Sequence, residues 1–164
     1  MIPWERRPVE VASLLNPAFC GEVFRRCVKE YETVASSPFP FPLIFLVLPI
    51  ILHSETRKNL PTSSRTQLYV WLQSHHEVKV GFAERMRQLV PITRETLMFL
   101  LQLEAFIVDE KDAGLSVVDY KPSNESKQDE EEIVDCYNKA KLIGRWFARS
   151  GTPATIYSAW GVKP

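Results

Sequence analysis

The sequence predicts a mainly α-helical protein with a small β-hairpin (α+β), built as a winged helix-turn-helix-like core flanked by N- and C-terminal helices. Apolar residues recur at helical spacing through most of the 164 residues, and two β-rich segments flank a glycine within residues 106–120. Hydrophobic residues make up 45% of the chain, which excludes disorder throughout. We read residues 1–164 as one domain, because the length is that of a single core.

The first predicted element is an N-terminal helical segment within residues 1–36. Asn16 followed by Pro17 is typical of an N-cap with proline in the first helical position, and SSPFPFP ends the helix near Ala35. The three cysteines of the chain show no CxxC spacing, which indicates reduced thiols in a cytoplasmic protein. The apolar stripe of this helix holds Cys20, Phe24, Cys27, Val28 and Tyr31, and its other side holds Glu22, Arg25, Arg26 and Lys29.

The second element is the charge-free run FPFPLIFLVLPIIL, residues 39–52. A helix through this run would rise about 20 Å, against the ~30 Å of a bilayer's hydrocarbon core. Pro42 suits a first helical turn, whereas Pro49 would kink or restart the helix. We therefore predict a helix that is buried on all sides and no contact with a membrane.

The following segments occur in the order of a winged helix-turn-helix. A helix containing Leu68 and Trp71, capped by Ser63 or Ser64, comes first. After this helix come a helix at 78–89, a tight break at 90–92, a helix at 94–104, and a hairpin at 106–120 in which Gly114 can adopt a positive φ. Together with the buried helix, these segments make up the predicted core at residues 42–120.

The helix at 94–104 is poorly suited to reading DNA. A recognition helix needs exposed polar side chains aimed at base edges, and here only Arg94 and Gln102 qualify. Phosphates would repel Glu95 and Glu104. A helix apolar on nearly every side must be buried on nearly every side, which favours a scaffold for protein contact. The alternative, a winged-helix nucleic-acid-binding regulator, rests on Lys79, Arg85 and Arg87, which also fit an ordinary solvated face.

The chain then changes character. Residues 121–132, KPSNESKQDEEE, are predicted to be an acidic linker, and residues 133–164 a C-terminal helix with a docking tail. The helix itself runs from about Glu130 to Ser150, and Gly151 ends it. Ile156, Tyr157 and Trp160 give the tail enough apolar surface to dock. Our candidates for a partner interface are Phe99, Leu103, Trp146, Phe147 and Trp160.

No motif in the sequence indicates catalysis. His75 and His76 are adjacent, so their side chains diverge on a helix, and His53 stands alone, which predicts no metal site. GxSxG, GxGxxG and the Walker A loop are absent from the sequence, so we expect no nucleotide or other cofactor. The acidic run at 129–132 is read as solvated and favourable to the start of the next helix. We predict a protein that is not an enzyme.

Four segments in order carry a resemblance to a known family. They are LLNPAF at 14–19, LPIILH at 48–53, GRWFARSG at 144–151 and GVKP at 161–164. Together they resemble the middle components of bacterial three-component ABC systems. The similarity covers most of the chain, and the acidic linker is its variable insert.

The resemblance implies a non-enzymatic adaptor or regulatory subunit. Its partners would be an ABC-type ATPase related to chromosome-maintenance ATPases and a third, effector-bearing component. Such systems are expected to act against phages or plasmids. The family has no established catalytic residues, so none are assigned here. A homodimer and contact with DNA stay open, by analogy with the winged-helix dimers of condensin-like complexes.

Overall fold

The computed structural model describes residues 15–121 and 130–164, and helices account for most of them. Residues 1–14 and most of the predicted acidic linker lie outside the described ranges. Two single-turn 3₁₀ helices, Phe41–Leu43 and His76–Lys79, each precede a longer helix. The helices are α1 Pro17–Ala35, α2 Ile44–Ile51, α3 Ser54–Asn59, α4 Leu68–Ser74, α5 Phe82–Gln102, α6 Glu131–Ala148 and α7 Pro153–Ala159, and the strands are β1 Phe39–Pro40, β2 Phe106–Asp109 and β3 Gly114–Val117.

Helix α1 begins and ends where the sequence predicts. The Asn16 side chain accepts a hydrogen bond of 2.8 Å from the backbone N–H of Ala18, and Pro17 is the first helical residue. The predicted apolar stripe is buried. The prediction for Arg26 is wrong, because this side chain is only 2% exposed. Its Nε donates to Glu22 at 2.8 Å and its guanidinium lies 4.3 Å from the centroid of the Tyr137 ring, since α6 covers part of the charged side of α1.

Helices α1 and α6 approach each other closely at Gly144. A Cβ atom added to this glycine would lie 2.1 Å from the carbonyl oxygen of Cys27, so only a residue without a side chain fits. Helix α2 is buried on almost every side, as predicted, but it covers only residues 44–51 of the charge-free run. Phe39 and Pro40 form β1 because they pair with β3, and a 3₁₀ turn follows them. Pro49 lies inside α2 and does not restart it. Among the described residues, no helix has the length and apolar content needed to cross a membrane.

The β-hairpin is present, and a third short strand joins it. The strand order is β1-β3-β2, all antiparallel, with Phe106 opposite Val117 and Pro40 opposite Gly114. The positive φ of the hairpin turn belongs to Ala113 and not, as expected, to Gly114. Gly114 is instead required for close packing, because a Cβ there would lie 2.5 Å from the Cβ of Pro38.

The structure does not confirm the winged helix-turn-helix. The break predicted at residues 90–92 is absent, and a single helix of 21 residues, α5, replaces the two expected ones. Pro91 lies inside α5 at an exposed position, where the backbone carbonyl that loses its intrahelical donor can bond to water. The preceding helix also starts later than expected, because Gln67 and not Ser63 or Ser64 is its N-cap.

The C-terminal helix and tail fold as predicted. Glu131 and Glu132 occupy the first turn of α6, where negative charge favours the helix dipole. Beyond Gly151, which has a φ of 94°, helix α7 packs back on the core. The ring of Trp160 stacks on Phe82 with a centroid distance of 4.6 Å, and the Tyr157 hydroxyl donates to the carbonyl of Pro42 at 2.5 Å. In the structure the tail thus packs on the core.

A buried arginine joins the start of α6 to the core. Arg57 is 3% exposed, and its Nη1 donates to the carbonyl of Ile51 at 2.7 Å. The same guanidinium donates to Asp135 at 2.9 Å and to Glu132 at 2.6 Å. The end of the predicted linker, residues 130–132, thus belongs structurally to the helix start.

Candidate functional site

Apolar side chains lie exposed where α5 ends and β2 begins. Met98, Leu103, Ile107 and Val108 are 56%, 61%, 58% and 42% exposed. We call these four residues the 98–108 surface. Because consecutive strand residues point to opposite faces of a sheet, Ile107 and Val108 lie on the two sides of β2. Several large apolar side chains left in water around one short segment make it a candidate site for contact with another molecule.

A tight turn brings the helix end and the strand together. The backbone N–H of Ala105 donates to the carbonyl of Leu100 at 2.9 Å, and that of Glu104 donates to Leu101 at 3.1 Å. This pair of bonds is the Schellman motif, which requires a left-handed residue after the helix. Glu104 fills that position with a φ of 54°. The chain therefore reverses sharply, and β2 starts beside the last turn of α5.

Strand β2 is an edge of the sheet. Within residues 15–121 and 130–164 it pairs with β3 on one side and with nothing on the other. Its outer side presents backbone donors and acceptors beside Ile107 and Val108, which is the arrangement that accepts a strand from another chain. The 98–108 surface thus offers apolar side chains and unused backbone hydrogen-bonding groups together.

The border of this surface is acidic. Glu104 lies in the turn before β2, and Asp109, Glu110 and Asp112 follow the exposed part of the strand, with Lys111 as the one cation among them. The Asp109 carboxylate accepts a 2.9 Å hydrogen bond from the backbone N–H of Lys111, which orders the turn. Such a border would repel phosphates and attract a partner with basic residues around an apolar centre.

The structure separates the predicted interface residues into two groups. Leu103 belongs to the 98–108 surface, and Phe99 is half-buried beside it. Trp146, Phe147 and Trp160 are at most 1% exposed, so in this fold they serve the core and offer nothing to a partner. Three members of the surface were not predicted. Ile107 and Val108 are adjacent in a short strand, so their side chains point to opposite faces of the sheet and one core-facing side cannot bury both. This adjacency could have predicted that at least one of them is exposed.

Two of the three predicted nucleic-acid contacts are already engaged within the chain. The Arg85 guanidinium donates to the carbonyls of Val80 at 2.8 Å and Val78 at 3.1 Å, and burial lowers its pKa. Arg87 pairs with Glu84 at 3.0 Å. Lys79 is half-buried. The nucleic-acid alternative stays a prediction, tested by salt-dependent DNA binding that Lys79→Ala weakens.

The described part of the chain holds no group of three histidine, cysteine or acidic side chains placed to bind a metal ion. Its three cysteines are buried and unpaired. Burial raises the pKa of the Cys20 thiol to about 12, so the thiolate required of a nucleophile is scarce at neutral pH.

The fold and the 98–108 surface define a small α+β protein with exposed apolar side chains around an edge strand. Residues 4–164 match the family model described as ABC-three component (ABC-3C) system Middle Component 3. The chain therefore belongs to this family, as the four ordered segments indicated, and it is a component of a multi-component system that includes partner proteins. No curated protein and no solved structure matches the chain.

Proposed function

We propose that this chain is a non-enzymatic adaptor that links the ABC-type ATPase and the effector-bearing third component of its system. The observation that carries the proposal is the 98–108 surface, which is apolar, exposed and built on a free sheet edge. Family membership supports the proposal, because a middle component must meet other components.

The energy available at this surface suits a specific contact. Complete burial of a fully exposed Leu, Ile, Val or Met side chain is worth about 1.5–3 kcal/mol, and the four side chains here are 42–61% exposed, so each can gain about half of that. Four such side chains, together with a few backbone hydrogen bonds along β2, are a sufficient centre for an interface in which a handful of residues dominate. The acidic border then selects the partner by charge and orients it, which speeds association more than it adds affinity.

The test is co-purification of the three components from one host. In the variant Leu103→Lys/Ile107→Lys, charges replace two apolar centres of the surface, and we expect the middle component to lose its partners. Val80→Lys is the matched control, because Val80 is 74% exposed and lies outside the 98–108 surface. Retention of both partners by the double variant would overturn the proposed contact site.

We further propose that the assembled system acts in anti-phage or anti-plasmid defence, which rests on the family resemblance alone. Hosts that carry the complete system should plate phage, or maintain an incoming plasmid, less efficiently than hosts without it. The Leu103→Lys/Ile107→Lys variant should abolish this difference, and Val80→Lys should preserve it. Equal protection by both variants would separate the defence role from the 98–108 surface.

A further inference from the structure

A small open pocket lies between the loop that leads into α4 and the end of α6. Its volume is about 330 Å³, and its walls include Ser64, Arg65, Thr66, Arg149 and Ser150. This volume is at the lower end of the range for small-molecule sites, so a ligand would be a small molecule or one end of a larger one.

Hydrogen bonds between elements hold the pocket walls in place. The Trp146 indole N–H donates to the carbonyl of Thr66 at 2.6 Å, and the Tyr69 hydroxyl donates to the carbonyl of Ser150 at 2.6 Å. Arg149 donates from Nη1 to the hydroxyl oxygen of Ser64. Trp146 is itself locked in the core, so the pocket is formed before any ligand arrives.

The charge of the pocket is one-sided. Arg65 and Arg149 line it, and among the residues that the structure describes no acidic residue does. Neither guanidinium forms an ion pair with any residue of the described chain. The hydroxyl of Thr66 also has no hydrogen-bond partner there, which leaves it free to donate to a ligand. Of the other described arginines, Arg85 and Arg94 also have no carboxylate partner among the described residues, whereas the rest pair with acidic side chains, namely Arg25, Arg26, Arg57, Arg87 and Arg145.

We propose that this pocket binds an oxyanion, the phosphate or carboxylate group of a small ligand. The planar fork of a guanidinium matches both groups with two parallel hydrogen bonds, and a second guanidinium with a hydroxyl supplies the remaining donors. The pocket involves α4 and α6, whereas the 98–108 surface involves α5 and β2. The proposed anion site can therefore be correct or wrong independently of the proposed partner contact.

The test follows the tryptophan indole N–H signals by ¹H–¹⁵N NMR on the full chain. Inorganic phosphate and glutarate are titrated separately, with sodium chloride holding the ionic strength constant. We expect one or both to shift the Trp146 indole signal saturably while the Trp160 signal stays in place. Saturation by phosphate alone would assign a phosphate ligand, and saturation by glutarate alone a carboxylate. The absence of a saturable shift with either anion would overturn the proposal.

Substitutions locate the binding. Arg149→Gln and Arg65→Gln should each raise the dissociation constant at least tenfold, because each removes one guanidinium. Arg87→Gln is the matched control and should leave it unchanged, since Arg87 is exposed on α5. The Arg65 side chain makes no hydrogen bond with any residue of the described ranges. Arg65→Gln therefore keeps the test valid even if loss of the Arg149–Ser64 bond destabilises the fold. Equal affinity in Arg65→Gln and Arg87→Gln would place the anion elsewhere and overturn the site.

Discussion

The tryptophan cluster at the C-terminal end of the chain and the 98–108 surface are both rich in apolar side chains, yet the fold treats them oppositely. In the cluster, the Trp71 ring lies 5.2 Å from that of Trp146 and 6.1 Å from that of Trp160, and Trp160 stacks on Phe82. All four side chains are buried. The 98–108 surface remains in water.

The difference lies in what covers each region. Helix α7 returns the chain to the core and closes the tryptophan cluster, at the expense of ordering one short helix. In the described part of the chain, nothing pairs with the outer edge of β2. Apolar composition therefore shows which side chains gain by leaving water, and the covering element decides whether they leave it within the chain or against a partner.

The largest expected effect contrasts the two regions directly. Trp160→Ala should lower the free energy of unfolding by about 3–5 kcal/mol, because it empties a large buried volume. Leu103→Ala should change it by less than about 0.5 kcal/mol, as exposed positions generally do. Urea unfolding of both variants measures the two values. Trp160→Phe should cost clearly less than the alanine, because the indole N–H has no acceptor in the described residues. A large loss in Leu103→Ala would show that the 98–108 surface is covered in solution.

The second effect concerns how tightly the buried side is built. Gly144→Ala should destabilise the fold by about 1–3 kcal/mol, because its Cβ would meet backbone and force α1 and α6 apart. In Gly21→Ala the new Cβ would lie 3.1 Å from Leu100 Cδ2, the end of a side chain that can shift. Alanine also has a higher helix propensity than glycine. For Gly21→Ala we therefore expect the free energy of unfolding, measured by thermal unfolding, to change by less than about 1 kcal/mol. Equal losses in the two variants would contradict the close approach of α1 and α6.

A smaller effect comes from histidine titration between pH 7 and pH 5, and all three histidines lie outside the 98–108 surface. His53 caps α3 by accepting from the backbone N–H of Thr56 at 3.2 Å, and burial, followed by Arg85, lowers its pKa below 6.5. Its contribution is therefore complete above pH 6.5 and is lost as the pH falls through the lower, folded-state pKa.

The measurement for His53 compares stability at pH 7 and pH 5. On going from pH 7 to pH 5, the free energy of unfolding of the natural protein should fall further than that of His53→Asn, by about 1 kcal/mol or less. The asparagine keeps a capping side chain but does not titrate. His75 and His76 are present in both proteins, so their contributions cancel. An identical pH dependence in the two proteins would refute the capping role of neutral His53.

The smallest effect lies at the turn that shapes the exposed side. Glu104→Gly should raise the free energy of unfolding by about 0.5 kcal/mol, because glycine accepts the left-handed conformation without strain. A glycine placed in the interior of α5, Gln88→Gly, should lower the free energy of unfolding by about 1 kcal/mol. If Glu104→Gly were as destabilising as Gln88→Gly, the Schellman turn before β2 would not form in solution.

Sequence reasoning succeeded where neighbouring residues control the structure. The Asn16–Pro17 start of α1, the hairpin near residues 106–120 and the start and end of α6 all depend on local hydrogen bonds and backbone preferences. It failed at residues 90–92, because the break expected at Pro91 was overridden by a helix that packs continuously on the core. It also missed β1, whose two residues gain strand geometry only by pairing with distant β3.

The sequence alone determined the helical class, the buried character of α2, the docking of the tail and, through four ordered segments, the family. These properties follow from side-chain chemistry and spacing within short stretches, which the chain carries unfolded or folded. Tertiary packing was needed to show that Trp146, Phe147 and Trp160 are core while Leu103 is surface. It was also needed to show that Arg65 and Arg149 share a pocket that no described acidic residue lines. Burial and charge pairing are relations between residues far apart in the chain, so they exist only once the helices have packed.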